Sequence, residues 1–170
     1  MFVRCSHKTP SILGLLAKDQ VDLVRKAAAR NQSSSPTTLE SLSRDVQWKV
    51  REAVARNPQT PASTLEVLAK DSDYQVRTDV AANPHTPSHL LEVLAKDRYA
   101  GARANFAANP AVSDETLEDL TRDRDVYVRR RTAKHPNTPL DALKVLTLDA
   151  DQEVSETASK RLSQSQNAVS

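Results

Sequence analysis

The stretch from Asn57 to Ala82 reads NPQTPASTLEVLAKDSDYQVRTDVAA, and the next 26 residues read NPHTPSHLLEVLAKDRYAGARANFAA. These are two copies of one unit. One aspartate marks the same place in every copy, at intervals of 26 residues: Asp19, Asp45, Asp71, Asp97, Asp123 and Asp149. A fixed period of this length indicates an array of stacked units, in which each unit buries its apolar face against its neighbours.

Six units fill most of the 170-residue chain. We number them from the N-terminus as residues 5–30, 31–56, 57–82, 83–108, 109–134 and 135–160. They are predicted to form a single solenoid domain over residues 1–162. The remaining residues, 163–170, are polar and are predicted to be a disordered tail.

Each unit is predicted to hold two short helices. In the third unit, Leu65 and Leu68 lie three residues apart and share a helical face, and Thr60 is expected to cap that first helix. Asp73 is expected to cap the second helix, which buries Val76 and Val80. Four glutamates precede a cation by four residues and are interpreted as paired, solvated helix surface: Glu40–Arg44, Glu66–Lys70, Glu92–Lys96 and Glu118–Arg122.

The shared pattern NPxTPxxxLexLakDxdxxVRxxvA resembles the variant leucine-rich repeat family, which is related in design to HEAT repeats. The resemblance covers residues 5 to about 160. It implies an all-α, right-handed α-solenoid in which α-helices alternate with short α or 3₁₀ helices. One relative in that family holds an iron–sulfur cluster through several cysteines. Because Cys5 is the only cysteine here, neither this cluster nor any other cofactor is expected.

A row of arginines keeps step with the aspartates. Each stands six residues after one of them: Arg25, Arg51, Arg77, Arg103 and Arg129. By resemblance to HEAT arrays, these side chains are predicted to form a ladder of charge-assisted hydrogen bonds between adjacent units. The alternative is a phosphate-binding strip. The sixth unit has Ser155 instead, as expected where no further unit follows.

The second helices are the expected binding face, because the resemblance implies that they line the concave side. A helical wheel predicts that this face exposes the positions equivalent to residues 75, 78, 79 and 82 of the third unit. In the fifth unit these positions place Tyr127, Arg130, Arg131 and Lys134 on one arc, which is the composition of a binding hot spot. Charge reversal at Arg130 and Arg131 is expected to weaken partner binding without lowering the melting temperature. The alternative is a solvated basic helix.

The fourth unit departs most from the pattern. Gly101 is expected to interrupt its second helix, and Gly101 and Ala104 are expected to floor a notch edged by Tyr99 and Asn105. Simple repacking, with Phe106 filling the space beside Ala102, is the alternative. Arg56 of the second unit is a further cation of the same face.

These features predict a non-enzymatic scaffold that binds an acidic or mixed protein surface, with binding of a nucleic-acid phosphate backbone as the alternative. An enzyme resembling HEAT-fold DNA glycosylases would need Asp79 as its central acid, and an oligomer-forming role stays open. His85 and His89 are separated by a loop and Pro87, so no metal site is predicted. Residues 1–10 have no apolar h-region and no small-residue cleavage site, so a signal peptide is not expected. No apolar run approaches the roughly 18 residues that span a bilayer, and we expect a cytoplasmic protein without membrane contact.

Overall fold

The structure, a computed structural model, describes residues 11–167. Twelve α-helices and no strand occur in this part of the chain. Cys5, His7 and the last three residues of the predicted tail lie outside it. The helices are α1 Ile12–Leu16, α2 Asp22–Arg30, α3 Pro36–Leu42, α4 Trp48–Arg56, α5 Ala62–Leu68, α6 Tyr74–Ala82, α7 Ser88–Leu94, α8 Ala100–Phe106, α9 Asp114–Leu120, α10 Val126–Lys134, α11 Leu140–Leu146 and α12 Gln152–Asn167.

The predicted pairing of a first and a second helix in every unit is confirmed. First helices span seven residues from the second unit onward, and second helices span nine except α8, with seven, and the longer α12. Both kinds are α-helical, so the described residues contain none of the 3₁₀ helices that the resemblance allowed. α12 continues to Asn167, and residues 163–167 are therefore helical rather than a disordered tail.

The core lies between units rather than within them. The leucine columns of the first helices and the valine column of the second helices are almost fully buried from the second unit onward, as at Leu65, Leu68 and Val76. In the first unit, Leu16 is exposed and Val24 is half-buried. The sixth unit buries the same columns, at Leu143, Leu146 and Val154, by packing against the fifth unit and within itself. Burial of the columns therefore follows packing against the preceding unit.

The two helix rows pack differently. Second helices contact one another in series, from α2 through α4, α6, α8 and α10 to α12, whereas first helices contact their counterparts little. Grooves therefore open between first helices, as between α7 and α9, where residues such as Lys96 and Thr116 line about 340 Å³. The layer of second helices is closed, and this determines which of its side chains reach solvent.

Thr60 does not cap the first helix as predicted. Its hydroxyl donates to the carbonyl oxygen of Val54, in the last turn of the preceding helix, at 2.6 Å, and α5 begins after Pro61 without a side-chain cap. Thr60 therefore satisfies a carbonyl at a helix C-terminus. The predicted caps of second helices are confirmed, because Asp73 accepts from the N–H of Gln75 at 2.8 Å. Asp125 accepts from the N–H of Tyr127 in the same way.

The predicted ladder of arginines and aspartates is confirmed at all five rungs. Each arginine donates to both carboxylate oxygens of the aspartate in the following unit, with Nε–Oδ2 distances of 2.6–2.7 Å. Its Nη1 also donates to the carbonyl oxygen of the aspartate in its own unit, at 2.6–2.9 Å. The arginine row is thus engaged inside the array and does not form a phosphate-binding strip.

A second ladder, which the sequence analysis missed, joins the units through asparagines. Asn57, Asn83 and Asn109 each donate from Nδ2 to two backbone carbonyls, 28 and 26 residues earlier, in the last turn of an earlier second helix and at the residue that follows it. His135 continues the row, with its Nε2 3.1 Å from the carbonyl oxygen of Asn109. Arg161 ends it by donating to the carbonyls of Ala133, His135 and Pro136. Arg161 stands 26 residues after His135, so the period of the sequence could have identified it as the last member of this row.

Candidate binding surface

Close packing of the second helices narrows the predicted face. Glu52, Asp79 and Ala104 belong to columns predicted to be exposed, but they are buried between neighbouring helices. The helical wheel was wrong here because it describes one helix, whereas these positions face the next helix of the row. Two columns remain largely accessible, those of residue 75 (Leu23, Lys49, Gln75, Gly101, Tyr127 and Glu153) and of residue 82 (Arg30, Arg56, Ala82, Ala108, Lys134 and Lys160).

Tyr127 and Arg131 are exposed as predicted, and Tyr127 keeps 66% of its surface accessible. Arg131 makes no ion pair or hydrogen bond with the described residues. Arg130 Cζ lies 5.7 Å from the centroid of the Tyr127 ring, a cation–π arrangement. This ring and Arg131 form the accessible part of the predicted arc.

Arg130 and Lys134 are not free cations. Arg130 donates to both carboxylate oxygens of Asp151, at 3.0 and 2.7 Å, and its Nη1 lies 2.8 Å from Glu153. Lys134 also contacts Glu153. The hydrogen bond from Arg130 lowers the pKa of Asp151, and the one from Lys134 lowers the pKa of Glu153. Both cations therefore join α10 to α12.

Arg56 is likewise engaged, in a cluster of alternating charges across α2, α4 and α6. Its Nη2 lies 3.1 Å from Glu52 and its Nε lies 2.9 Å from Asp79 Oδ2, at an angle outside hydrogen-bond geometry. Lys26 approaches Glu52 at 3.5 Å. Burial raises the pKa of Asp79, and the contact with Arg56 opposes this rise. Asp79 is therefore a buried member of an ion cluster rather than an exposed central acid.

The residues of the predicted notch lie on α8 and at its N-terminus, and Ala104 of its expected floor is buried. Gly101 does not interrupt α8 as expected, since it is the second residue of that helix. A Cβ built at Gly101 would meet only Thr78 Oγ1, at 3.8 Å, so the space above it is open. Asn105 is half-buried, and Tyr99 stacks on Tyr74 with 4.6 Å between ring centroids. The structure thus brings Gly101 and Asn105 together on α8, next to α10, and places Tyr99 at its N-terminus.

Phe106 is fully buried, which agrees with the repacking alternative for the fourth unit.

The predicted pairs of glutamate and cation on the first helices do not form. α5 ends at Leu68, and the N–H of Lys70 bonds to the carbonyl of Val67, three residues back. Lys70 therefore lies in the connecting turn, outside the helical geometry that would bring it to Glu66. The cations of this column stay exposed and unpaired with any described residue: Lys18, Arg44, Lys70, Lys96 and Arg122.

Residues 11–167 contain no group of three or more histidine, cysteine, aspartate or glutamate side chains arranged to hold a metal ion. None of the helices in this range has the length and apolar character needed to cross a membrane.

Comparison with known proteins finds a match to one family over part of the chain. Residues 48–73 match the family described as leucine rich repeat variant, over a segment one period long. A search of curated proteins finds no match. A solved structure described as a leucine-rich repeat variant with a novel repetitive structural motif is 26% identical, covers 88% of this chain and 70% of its own, and has a TM-score of 0.42.

An engineered protein of known structure is 18% identical, covers 91% of this chain and 95% of its own, and has a TM-score of 0.51. At this identity the likeness shows the fold alone. The chain is a helical repeat protein, and its residues 48–73 carry the leucine rich repeat variant motif that the sequence pattern predicted.

Proposed function

We propose that the chain is a non-enzymatic scaffold that binds an acidic protein segment on its second-helix face, at α8 and α10. A helical repeat array is consistent with a role in protein interaction generally, because stacked units present an extended surface to a partner. The observation that supports this location is the pair of Tyr127, with 66% of its surface exposed, and Arg131, which is exposed and unpaired within the described chain. Tyrosine and arginine are both enriched at interface hot spots.

The surroundings of this pair suit a docked segment. Gly101, in the same column as Tyr127 one unit earlier, leaves open space, and Ala108 adds no bulk at the end of the same unit. Because Arg130 and Lys134 are neutralised by Asp151 and Glu153, Arg131 supplies the unpaired positive charge of the arc. An incoming carboxylate would therefore pair with Arg131 while its neighbours pack on the Tyr127 ring.

The test uses peptides selected from a random library on the intact chain. We expect the selected peptides to be acidic, and Arg131→Glu to weaken their binding at least about tenfold, or about 1.4 kcal/mol. Arg30→Glu is the matched control, because Arg30 is also exposed and unpaired within the described residues and undergoes the same charge change in a distant unit. Peptides without acidic residues, or equal binding by wild type and Arg131→Glu, would refute the proposal.

Arg130 is unsuited to this test, contrary to the expectation that its reversal leaves stability unchanged. A glutamate there would face Asp151 and Glu153, so Arg130→Glu should lower the melting temperature. Arg131→Glu should change it by no more than about 2 °C.

A nucleic acid on the same face is the second candidate from sequence. On this face Arg56, Arg130 and Lys134 are already paired with carboxylates, which leaves fewer cations to bind phosphate groups.

A further inference from the structure

The turns that join the first and second helix of each unit lie along one edge of the array, which we call the loop edge. It consists of residues 17–21, 43–47, 69–73, 95–99, 121–125 and 147–151. Five units place a cation at the same position of this turn, and the fourth and fifth units add a second one. These exposed cations are Lys18, Arg44, Lys70, Lys96, Arg98, Arg122 and Arg124.

None of these seven side chains has a carboxylate oxygen within 4.0 Å among the described residues. Five aspartates of the same turns are paired with the ladder arginines, as Asp97 is with Arg77 at 2.6 Å. Three others accept only backbone N–H groups and are outnumbered by the seven cations: Asp19, Asp73 and Asp125. Of the eight cations on the second-helix face, in contrast, four are engaged in internal ion pairs: Lys26, Arg56, Arg130 and Lys134. The loop edge is therefore the longer run of uncompensated positive charge.

Aromatic rings lie at the same edge, where the second helices begin. Tyr74 and Tyr99 are stacked on each other, yet they keep 44% and 40% of their surfaces exposed. Arg98 lies 5.0 Å from the centroid of the Tyr99 ring. Trp48 is half-buried at the equivalent place in the second unit, with Lys49 Nζ 5.6 Å from its ring.

We propose that the loop edge binds single-stranded nucleic acid, with its phosphates along the row of cations and unstacked bases against Trp48, Tyr74 and Tyr99. A line of cations repeated once per unit suits a linear polyanion, whose phosphates exchange counterions for Lys and Arg. Half-exposed rings beside that line offer stacking faces, which single strands use and paired bases in a duplex do not. An acidic peptide would satisfy the cations but would bring no bases to the rings.

The charge test measures fluorescence anisotropy of a labelled oligothymidylate of ~20 nucleotides with the intact chain, over a range of salt concentrations. The edge variant is Lys70→Ala/Lys96→Ala/Arg122→Ala. It should reduce the slope of log affinity against log salt by about 2, since each lost phosphate contact on a single strand removes about 0.7. The matched control is Arg30→Ala/Arg131→Ala/Lys160→Ala, which removes the same charge from exposed positions of the second-helix face. It should retain the wild-type slope.

The ring test uses Tyr99→Leu, which keeps an apolar side chain but removes the stacking face. We expect affinity for the oligonucleotide to fall at least about fivefold, because stacking of one base contributes about 1 kcal/mol or more. All substitutions for charge are at exposed positions, and unchanged melting curves would verify that the variants fold.

Three results would overturn the proposal: no binding of the oligonucleotide at low salt, a greater loss in the second-helix control than in the edge variant, or equal binding of a polyglutamate of the same length. Equal affinity for duplex DNA would also contradict it, because the rings would then contribute nothing. The outcome is separate from that of the acidic-peptide test, since the two proposals use different residues of the array.

Discussion

Arg77→Met tests whether the ladder of arginines and aspartates holds neighbouring units together. Arg77 donates to both oxygens of Asp97 at 2.6 and 3.1 Å, and to the carbonyls of Asp71 and Ser72 at 2.7 and 3.2 Å. The side chains of Arg77 and Asp97 expose only 9% and 7% of their surfaces. Removing one partner of a buried ion pair costs about 3–5 kcal/mol, because the other charge stays buried without compensation. Asp97 still accepts a hydrogen bond from the N–H of Tyr99 at 2.8 Å, so we expect Arg77→Met to lower the free energy of unfolding by about 3 kcal/mol, the low end of that range.

The effect should depend on pH in a defined direction. In the wild type, burial raises the pKa of Asp97, but the hydrogen bond and charge of Arg77 outweigh it and the pKa is lowered overall. The ionised carboxylate therefore stabilises the fold above the unfolded pKa of about 3.9, and this contribution is lost as pH falls through the lower folded pKa. Without Arg77 only burial and weaker contacts remain, so Asp97 is protonated more readily and the penalty of the substitution should shrink below about pH 4.

The assay is urea unfolding followed by circular dichroism at neutral and acidic pH. Arg131→Met is the control, an exposed arginine whose loss should change the free energy of unfolding by no more than about 0.5 kcal/mol. Arg77→Met/Asp97→Leu removes both charges and should recover part of the loss. A loss below about 1 kcal/mol at pH 7, or an equal loss at both pH values, would refute the role of the rung.

Three further substitutions test other contacts. Burial lowers the pKa of His135, so the unfolded chain binds more protons and the wild type should lose up to about 1.4 kcal/mol of stability per pH unit below about pH 6.5. His135→Asn should remove this dependence on pH. The same change in the free energy of unfolding between pH 8 and pH 5 for both proteins, measured by urea unfolding, would contradict the prediction. Arg161→Ala should cost about 1–3 kcal/mol because three carbonyls of the last units lose their donor. Retained hydrogen-exchange protection in α12 would argue against this. Gly101→Ala should stabilise the fold by about 0.4–1 kcal/mol, since the added methyl group meets only Thr78 Oγ1 at 3.8 Å, and a lower melting temperature would show that the space is not open.

Much of the architecture could be predicted because the same structural unit recurs along the sequence. The columns of Leu65 and Val76 are local features that recur every 26 residues, so one unit explains its neighbours, and the Asp73 cap recurs in the fifth and sixth units. The Arg77–Asp97 rung follows the same period, and its pairing was predicted from the resemblance to HEAT arrays. The asparagine ladder also follows it, but its acceptors are backbone carbonyls, which have no signature in the side-chain sequence.

The sequence by itself determined the period, the helical units and the buried columns, because each depends on spacing along one chain. The pairing within the arginine ladder came from the resemblance to HEAT arrays. Only the tertiary structure decided which cations are available. Arg130 is paired because Asp151 and Glu153 of the next unit lie within reach, whereas Lys70 does not pair with Glu66 because α5 ends at Leu68, before Lys70. These outcomes depend on distances of a few ångströms between helices that pack side by side, and no periodicity in a single helix contains that information.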